Sequence, residues 1–256
     1  MSNHTPFAGQ VALITGGASG MGRSTAEMLA AEGAKVALLD RDETGLEDAV
    51  AAIGADRALA LPADLARSET LDAAVARTLE QFGRIDILLN VAGYRDQKDA
   101  LDVVDSEVWA RTFAINCTGP ARLIQKVGEA MIAQGGGGKI VNVSSSSGFR
   151  AMGNPPAAYS CAKAAIAQLT RVAAASLGPH DINVNTVVPG PTLTAMAERA
   201  GMSEKLAEIV KSGPMQNLLG RVSMPEDVAA LIRFLCLPDS RQMTGQTLHV
   251  SAGNIV

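Results

Sequence analysis

The sequence predicts an α/β fold of the doubly wound kind, a single domain over residues 1–256 built on a seven-stranded parallel sheet, and three observations point to it. Short β-branched or leucine-rich runs alternate with longer Ala-rich helical patterns from residue 11 to residue 250, as expected when crossover helices connect parallel strands. A glycine-rich turn stands between the first such run and the first helical pattern, from Gly16 to Gly22. With 256 residues, 47% apolar and 19% charged, the chain can bury one large core, and no interdomain linker or internal repeat divides it.

In order, strands are expected at Val11 to Thr15, Lys35 to Leu39, Ala58 to Pro62, Ile85 to Asn90, Lys139 to Ser144, Ile182 to Val188 and Thr247 to Val250. Helices are expected at about 20–32, 42–53, 68–82, 105–132, 157–177, 193–211 and 225–237. Gly33 closes the first helix, and Pro225-Glu226-Asp227 opens the last with proline and acids in its first turn. The Gly135 to Gly138 run follows a helix and precedes a strand, the reverse of the order a phosphate cradle needs, so it reads as a connector. The segment 191–224 is rich in methionine (Met196, Met202, Met215, Met224) and follows a strand end, which suits a lid over a substrate.

Composition removes several function classes. The formal charge of −4, with 22 Lys and Arg dispersed among 26 acids, gives no broad positive field for nucleic acid or anionic lipid. No run of about 18 apolar residues occurs and residues 1–9 lack the pattern of a secretory leader, so no membrane association and a cytoplasmic location are expected. Cys117, Cys161 and Cys236 are sparse and unpaired in spacing, as reduced thiols packed like small hydrophobes would be. His4, His180 and His249 show no ligand spacing with Cys or carboxylates, so no metal site is expected.

The chemistry-bearing residues fall into two groups. Thr15-Gly16-Gly17-Ala18-Ser19-Gly20-Met21-Gly22 follows a strand and opens a helix, so its backbone meets a pyrophosphate at the positive end of the helix. Asp40 ends the second strand, where a carboxylate accepts hydrogen bonds from the adenosine ribose and repels a 2′-phosphate by on the order of 4 kcal/mol per charge pair before screening. NAD is therefore favoured over NADP, although Arg41 beside it could hold that phosphate. In the second group, Tyr159 and Lys163 lie four apart at a helix start, on one face. An adjacent ammonium and an oxidised nicotinamide would both pull the phenol toward working pH.

These motifs resemble the short-chain dehydrogenase/reductase family in its classical form, whose fingerprint is a Thr-Gly-x-x-x-Gly-x-Gly turn on a Rossmann sheet, and the likeness covers nearly the whole chain. The resemblance implies an NAD-dependent oxidoreductase moving hydride between nicotinamide and a secondary alcohol or ketone. It implies that Gly16, Ser19, Gly20, Met21, Gly22, Asp40, Arg41, Asp64, Leu65, Asn90, Ala92 and Gly93 bind the nucleotide. Tyr159 and Lys163 would be catalytic and also touch the cofactor, Asn116 would help hold a water touching the lysine, and a strand-end serine would bind the substrate oxygen. Aligning from the strand selects Ser145 for that serine, whereas counting thirteen residues back from Tyr159 selects Ser146; we take Ser145, since a loop absorbs an extra residue more easily than a buried strand.

After Pro189-Gly190, the resemblance gives Thr192 a backbone contact and Thr194 a hydroxyl contact to the carboxamide. Asn90-Val91-Ala92-Gly93 has valine where many members carry a second asparagine, and Val250-Ser251-Ala252-Gly253 departs from the usual Asp-Gly-Gly ending. Tyr94, Arg95, Phe149, Arg150, Met152 and Asn154 are expected in the substrate wall. A homotetramer is implied, with the long fourth and fifth helices and the last strand in contact. Two other readings share the motifs: an NADP-dependent 3-ketoacyl or carbonyl reductase, and a non-enzymatic NAD sensor.

Overall fold

Strands that are apolar along their whole length bury both faces of a parallel sheet, and that sheet is what they build. In the structure, a computed structural model that describes residues 5–151, 156–194, 197 and 203–255, the strands are β1 (Val11–Thr15), β2 (Lys35–Asp40), β3 (Ala58–Pro62), β4 (Ile87–Asn90), β5 (Gly138–Val143), β6 (Ile182–Pro189) and β7 (Thr247–Val250). They pair in the order β3-β2-β1-β4-β5-β6-β7, every neighbour parallel. The described helices are α1 (Gly20–Ala31), α2 (Glu43–Ile53), α3 (Ser68–Phe82), α4 (Ser106–Phe113), α5 (Gly119–Gln134), α6 (Ala157–Leu177), α7 (Ser203–Ser212) and α8 (Pro225–Cys236).

Successive strand side chains point to opposite faces, which divides the core in two. Ala12, Ile14, Val36 and Leu38 pack with Leu29 of α1, Leu46 of α2 and Ile232 of α8. Leu13, Ala37, Leu39 and Leu88 pack with Leu71 of α3, Leu123 and Val127 of α5 and Leu177 of α6. Truncating any of these buried leucines to alanine removes about 2–5 kcal/mol. The order reverses at β1, whose neighbours are β2 on one side and β4 on the other. The carboxyl ends of β1 and β4 therefore open a crevice where an open α/β sheet takes its ligand.

Three segments differ from the sequence expectation. The helix expected over 105–132 is α4, then a π-turn at Ala114–Thr118, then α5. Pro120 has no N–H to give the Asn116 carbonyl one turn back, and the Asn116 side chain donates to the Thr112 carbonyl at 2.9 Å, so the regular ladder gives way. Within the span 193–211 expected as one helix, Ala197 and Ser203–Ser212 are helical among the described residues, while Leu193 and Thr194 are not, and Thr192 before them bridges to Ser223. Finally, Cys161 is exposed, Cys117 partly buried and Cys236 buried; Cys161, between the two residues on the inward face of α6, points to solvent and not into packing.

The Gly135–Gly137 connector takes positive φ at all three residues, and Gly138 already belongs to β5. At the start of α8 the Asp227 carboxylate accepts from the Met224 N–H at 2.8 Å. Among the described residues no helix is long and apolar enough to cross a membrane.

Candidate active site

The β1–α1 turn is shaped by close approach. A Cβ at Gly22 would stand 2.2 Å from the Gly16 carbonyl oxygen and one at Gly17 would stand 2.7 Å from Leu38 Cβ, so α1 can sit down on the turn only because those positions are glycine. Gly16 itself has φ +74° with the Ala92 backbone 3.1 Å from where its Cβ would be. The Thr15 hydroxyl accepts from the N–H groups of Val91 and Ala92 at 3.0 and 3.1 Å, which holds the end of β4 against the end of β1. Ser19 precedes α1 without capping it, and the first turn of α1 carries no acid. Its unpartnered N–H groups and the positive end of the helix remain for an anion.

Asp40 stands beside this turn. Its carboxylate accepts from the N–H groups of Arg41, Asp42 and Ala18 at 2.8, 3.2 and 3.3 Å, so it is anchored to backbone and stays at the end of β2. The spacing of the acid, the glycine cradle and the bare helix N-terminus fits a dinucleotide: pyrophosphate on the turn, adenosine ribose at Asp40.

From the turn a cavity of about 890 Å³ runs to the carboxyl ends of β5 and β6. Of the residues expected to serve the site, Gly16, Ser19, Gly20, Met21, Gly22, Asp40, Arg41, Asp64, Leu65, Ala92, Gly93, Ser145, Tyr159, Lys163, Thr192 and Thr194 line it. Asn90 does not. It is 3% exposed, and its amide donates to Asn142, which donates to Thr170, a residue that also accepts from the Thr186 hydroxyl. The side chain expected to line the cofactor instead ties β4, β5 and β6 to the middle of α6, because the pleat turns residue 90 into the layer beneath the crevice and leaves Val91 at its wall.

Tyr159 and Lys163 face the cavity together from the first turns of α6. Lys163 is 2% exposed and its ammonium donates to the Val143 carbonyl at 2.9 Å; burial pulls its pKa down to about 8. The Ser144 hydroxyl bonds the Lys163 carbonyl at 2.5 Å, joining the end of β5 to the same helix turn. Loss of water raises the Tyr159 pKa, while a hydrogen bond with Ser145 and the charge of Arg95 act in the opposite sense and do not overcome it. The Lys163 ammonium sits 5.7 Å from the centre of the phenol ring and is engaged by Val143, so the chain's own lysine does not by itself bring the phenol to working pH.

The pairing of Ser145 with Tyr159 separates the two serines. Ser145 is extended, its hydroxyl also accepting from the Ser147 N–H at 3.2 Å, whereas Ser146 begins a 3₁₀ turn and is 6% exposed. Asn116 is 1% exposed and does not line the cavity. Its amide grips the backbone of Tyr94, donating to the carbonyl at 2.7 Å and accepting from the N–H at 3.0 Å. It thereby fixes the start of the loop that follows Gly93.

Sequence reasoning missed two supports. Asp99, 7% exposed, accepts from the N–H groups of Ala158 and Tyr159 at 2.8 and 2.9 Å. A carboxylate some sixty positions upstream thus caps the helix that presents the tyrosine, and no local pattern announces it. Asn254 donates to the carbonyls of Met215 and Gln216, tying the C-terminal segment to the 191–224 stretch. From that stretch Pro191, Leu206 and Met215 also line the cavity. Tyr94 and Arg95 stand in the wall as expected, but Phe149 packs edge-on against His249 at 5.2 Å and Arg150 donates to the Asn254 carbonyl, so neither lines it. Met152, Asn154, Met196 and Met202 lie outside the described residues.

Known proteins resemble this chain over nearly its whole length. Residues 16–254 match the family model described as enoyl-(acyl carrier protein) reductase. A short-chain reductase protein of Streptomyces niveus is 40% identical over 95% of this chain and 93% of its own. An NAD-dependent glycerol dehydrogenase of Listeria innocua is 36% identical over the same shares, 95% and 93%. Among solved structures, a short chain dehydrogenase from Burkholderia cenocepacia in complex with NADP superposes with a TM-score of 0.87 at 32% identity, covering 97% of this chain and 99% of that one. The chain belongs to the short-chain dehydrogenase/reductase family and is an oxidoreductase of alcohols and ketones that uses a nicotinamide cofactor.

Proposed function

We propose that the protein is an NAD-dependent dehydrogenase in which Ser145, Tyr159 and Lys163, positioned by Asn116 and Asp99, interconvert a secondary alcohol and its ketone. The observation that carries this reading is one cavity with Asp40 and the glycine turn at one end and Ser145, Tyr159 and Lys163 at the other. Bound nicotinamide supplies the hydride acceptor in oxidation and the donor in reduction.

The protein's part is to hold the reacting oxygen and move its proton. The hydroxyls of Ser145 and Tyr159 converge on the substrate oxygen; in oxidation the phenol oxygen takes the hydroxyl proton as the carbon loses its hydride, and in reduction it returns that proton. With a pKa of about 8, Lys163 is largely protonated at neutral pH. Its charge favours the phenolate and its remaining N–H groups reach the nicotinamide ribose. Asn116, whose amide is wholly engaged with backbone, contributes through its place in the π-turn, where its carbonyl, released by Pro120, holds the water that touches Lys163.

Gly16, Ser19, Gly20, Met21 and Gly22 cradle the pyrophosphate, while Asp64 and Leu65 flank the adenine. Ala92 and Gly93 border the ribose and nicotinamide. The Thr192 hydroxyl already donates to the Gly190 carbonyl, which supports a backbone contact for Thr192, and Thr194 keeps a hydroxyl proton for the carboxamide. The anchored Asp40 carboxylate supports NAD over NADP. The Listeria relative is NAD-dependent by name, but the Burkholderia structure holds NADP, and Arg41 in the cavity wall beside Asp40 favours an NADP-dependent ketoacyl or carbonyl reductase as the second reading. We take the 191–224 segment as the lid of a single domain, and a cytoplasmic homotetramer as the working form.

Tyr159→Phe is expected to abolish alcohol-dependent NADH formation, read at the nicotinamide absorbance, while NADH still binds. Retained turnover would remove Tyr159 from the mechanism; a wild-type protein that binds NADH yet turns over nothing in an alcohol panel would favour a sensor. Calorimetric comparison of NADH with NADPH separates the two reductase readings.

A further inference from the structure

We propose that the substrate carries a carboxylate and that Arg95 is the residue that recognises it. This deepens the oxidoreductase reading and rests on it. The charged groups lining the cavity are unevenly placed. At the adenosine end Arg41 stands among Asp40, Asp42 and Asp64, whereas beyond Gly93 the lining cations among the described residues are Arg95 and the buried Lys163.

Lys163 is committed to the Val143 carbonyl. Arg150, the other arginine expected in the wall, is held outside it by the Asn254 carbonyl. Arg95 has no carboxylate partner among the ion pairs of the described residues. Its neighbour Asp96 also lines the cavity but is already engaged, with one oxygen on the Tyr94 hydroxyl at 2.6 Å and the other on the Lys98 N–H at 2.9 Å. The guanidinium is therefore the free end of this stretch of wall, a planar donor array matched to a carboxylate.

The backbone beneath Arg95 is built and not loose. Asn116 clamps Tyr94 on both sides, and Asp99 locks the far side of the loop to the first turn of α6. Arg95 is thus held near Tyr159, close enough for its charge to act on the phenol. An acid that docks on Arg95 presents its carbinol to Ser145 and Tyr159 across the space between them. The neutral polyol or ketone lacks that anchor, so discrimination resides in kcat/KM.

The test compares hydroxy acids with their primary amides, which keep size and hydrogen bonding but lose the charge: 4-hydroxycyclohexanecarboxylate and its carboxamide, and 3-hydroxybutyrate and its amide. The wild-type enzyme with NAD is expected to prefer the acid of at least one pair by tenfold or more in kcat/KM. Arg95→Gln is expected to bring that ratio to about one, and Arg95→Glu to invert it. Binding of cyclohexanecarboxylate and cyclohexanecarboxamide to the NADH complex, by calorimetry, gives the same comparison without turnover. A wild-type ratio near one in both measurements, or a preference that survives Arg95→Gln, overturns the proposal. Oxidation of neutral alcohols alone would overturn it while leaving the dehydrogenase reading intact, and failure of NADH to bind would instead strike that reading.

Discussion

The two ends of the cavity are made in different ways. At the nucleotide end the groups lie within one β-turn-α unit and the end of the next strand, and most of what they offer is backbone: glycines without side chains, uncapped N–H groups, a carboxylate fixed by the N–H groups of its own neighbours. At the reaction end much of the support comes from residues remote in sequence. Tyr159 depends on Asp99, Lys163 on Val143, and the loop after Gly93 on Asn116. A local turn tolerates much of the chain changing around it, whereas a constellation assembled over long separations gains accuracy from packing and loses it when one support fails. Loss of water also acts at the reaction end, where it lowers the pKa of the buried Lys163 to about 8 and raises that of Tyr159.

The contrast can be tested by perturbing each end. After Tyr159→Phe, the largest effect is expected at the serines. Ser145→Ala should lower kcat by about 10²-fold or more with little change in NADH affinity, and Ser146→Ala should do far less; the reverse result in steady-state kinetics would move the role one residue along. Next, Gly22→Ala forces a Cβ against the Gly16 carbonyl. Strain of about 1–3 kcal/mol should weaken NADH binding by tenfold to a hundredfold in calorimetry, and unaltered affinity would show that the turn is less tight than described.

A smaller effect belongs to the helix cap. Asp99→Ala should reduce kcat by about tenfold through a displaced Tyr159, with Asp99→Asn recovering most of it because an amide oxygen still accepts one N–H. Equal loss in both variants would mean the charge matters and not the geometry. The smallest is a pH effect on stability. A buried lysine whose folded pKa is about 8 against an ordinary 10.5 is penalised when charged. The unfolded chain then binds more protons between those values, so stability rises with pH across that window. The penalty below pH 8 is on the order of 3 kcal/mol. Urea midpoints of wild type relative to Lys163→Met should therefore rise from pH 8 toward 10.5, and a flat difference would contradict the burial.

The strand-turn-helix order, the seven strands and the placing of the Gly16 turn and Asp40 at one end of the cavity could be read along the chain because period, glycine spacing and strand ends are local quantities. The pair Tyr159 and Lys163 was legible for the same reason, as four residues on a helix fix a shared face. What folding alone decided is of another kind. Whether Asn90 faces ligand or packing depends on which way the pleat turns at the sheet's switch point; the π-turn at Asn116 arises from a proline four residues on competing with a side-chain amide; and the cap on α6 comes from Asp99, a carboxylate with no neighbouring signal. Arg95 and Arg150 look alike in sequence, and only the partner each meets, none among the described residues for one and the Asn254 carbonyl for the other, tells them apart. Local propensity sets which elements form, but hydrogen bonds between residues far apart in the chain exist only once the sheet has brought them within reach.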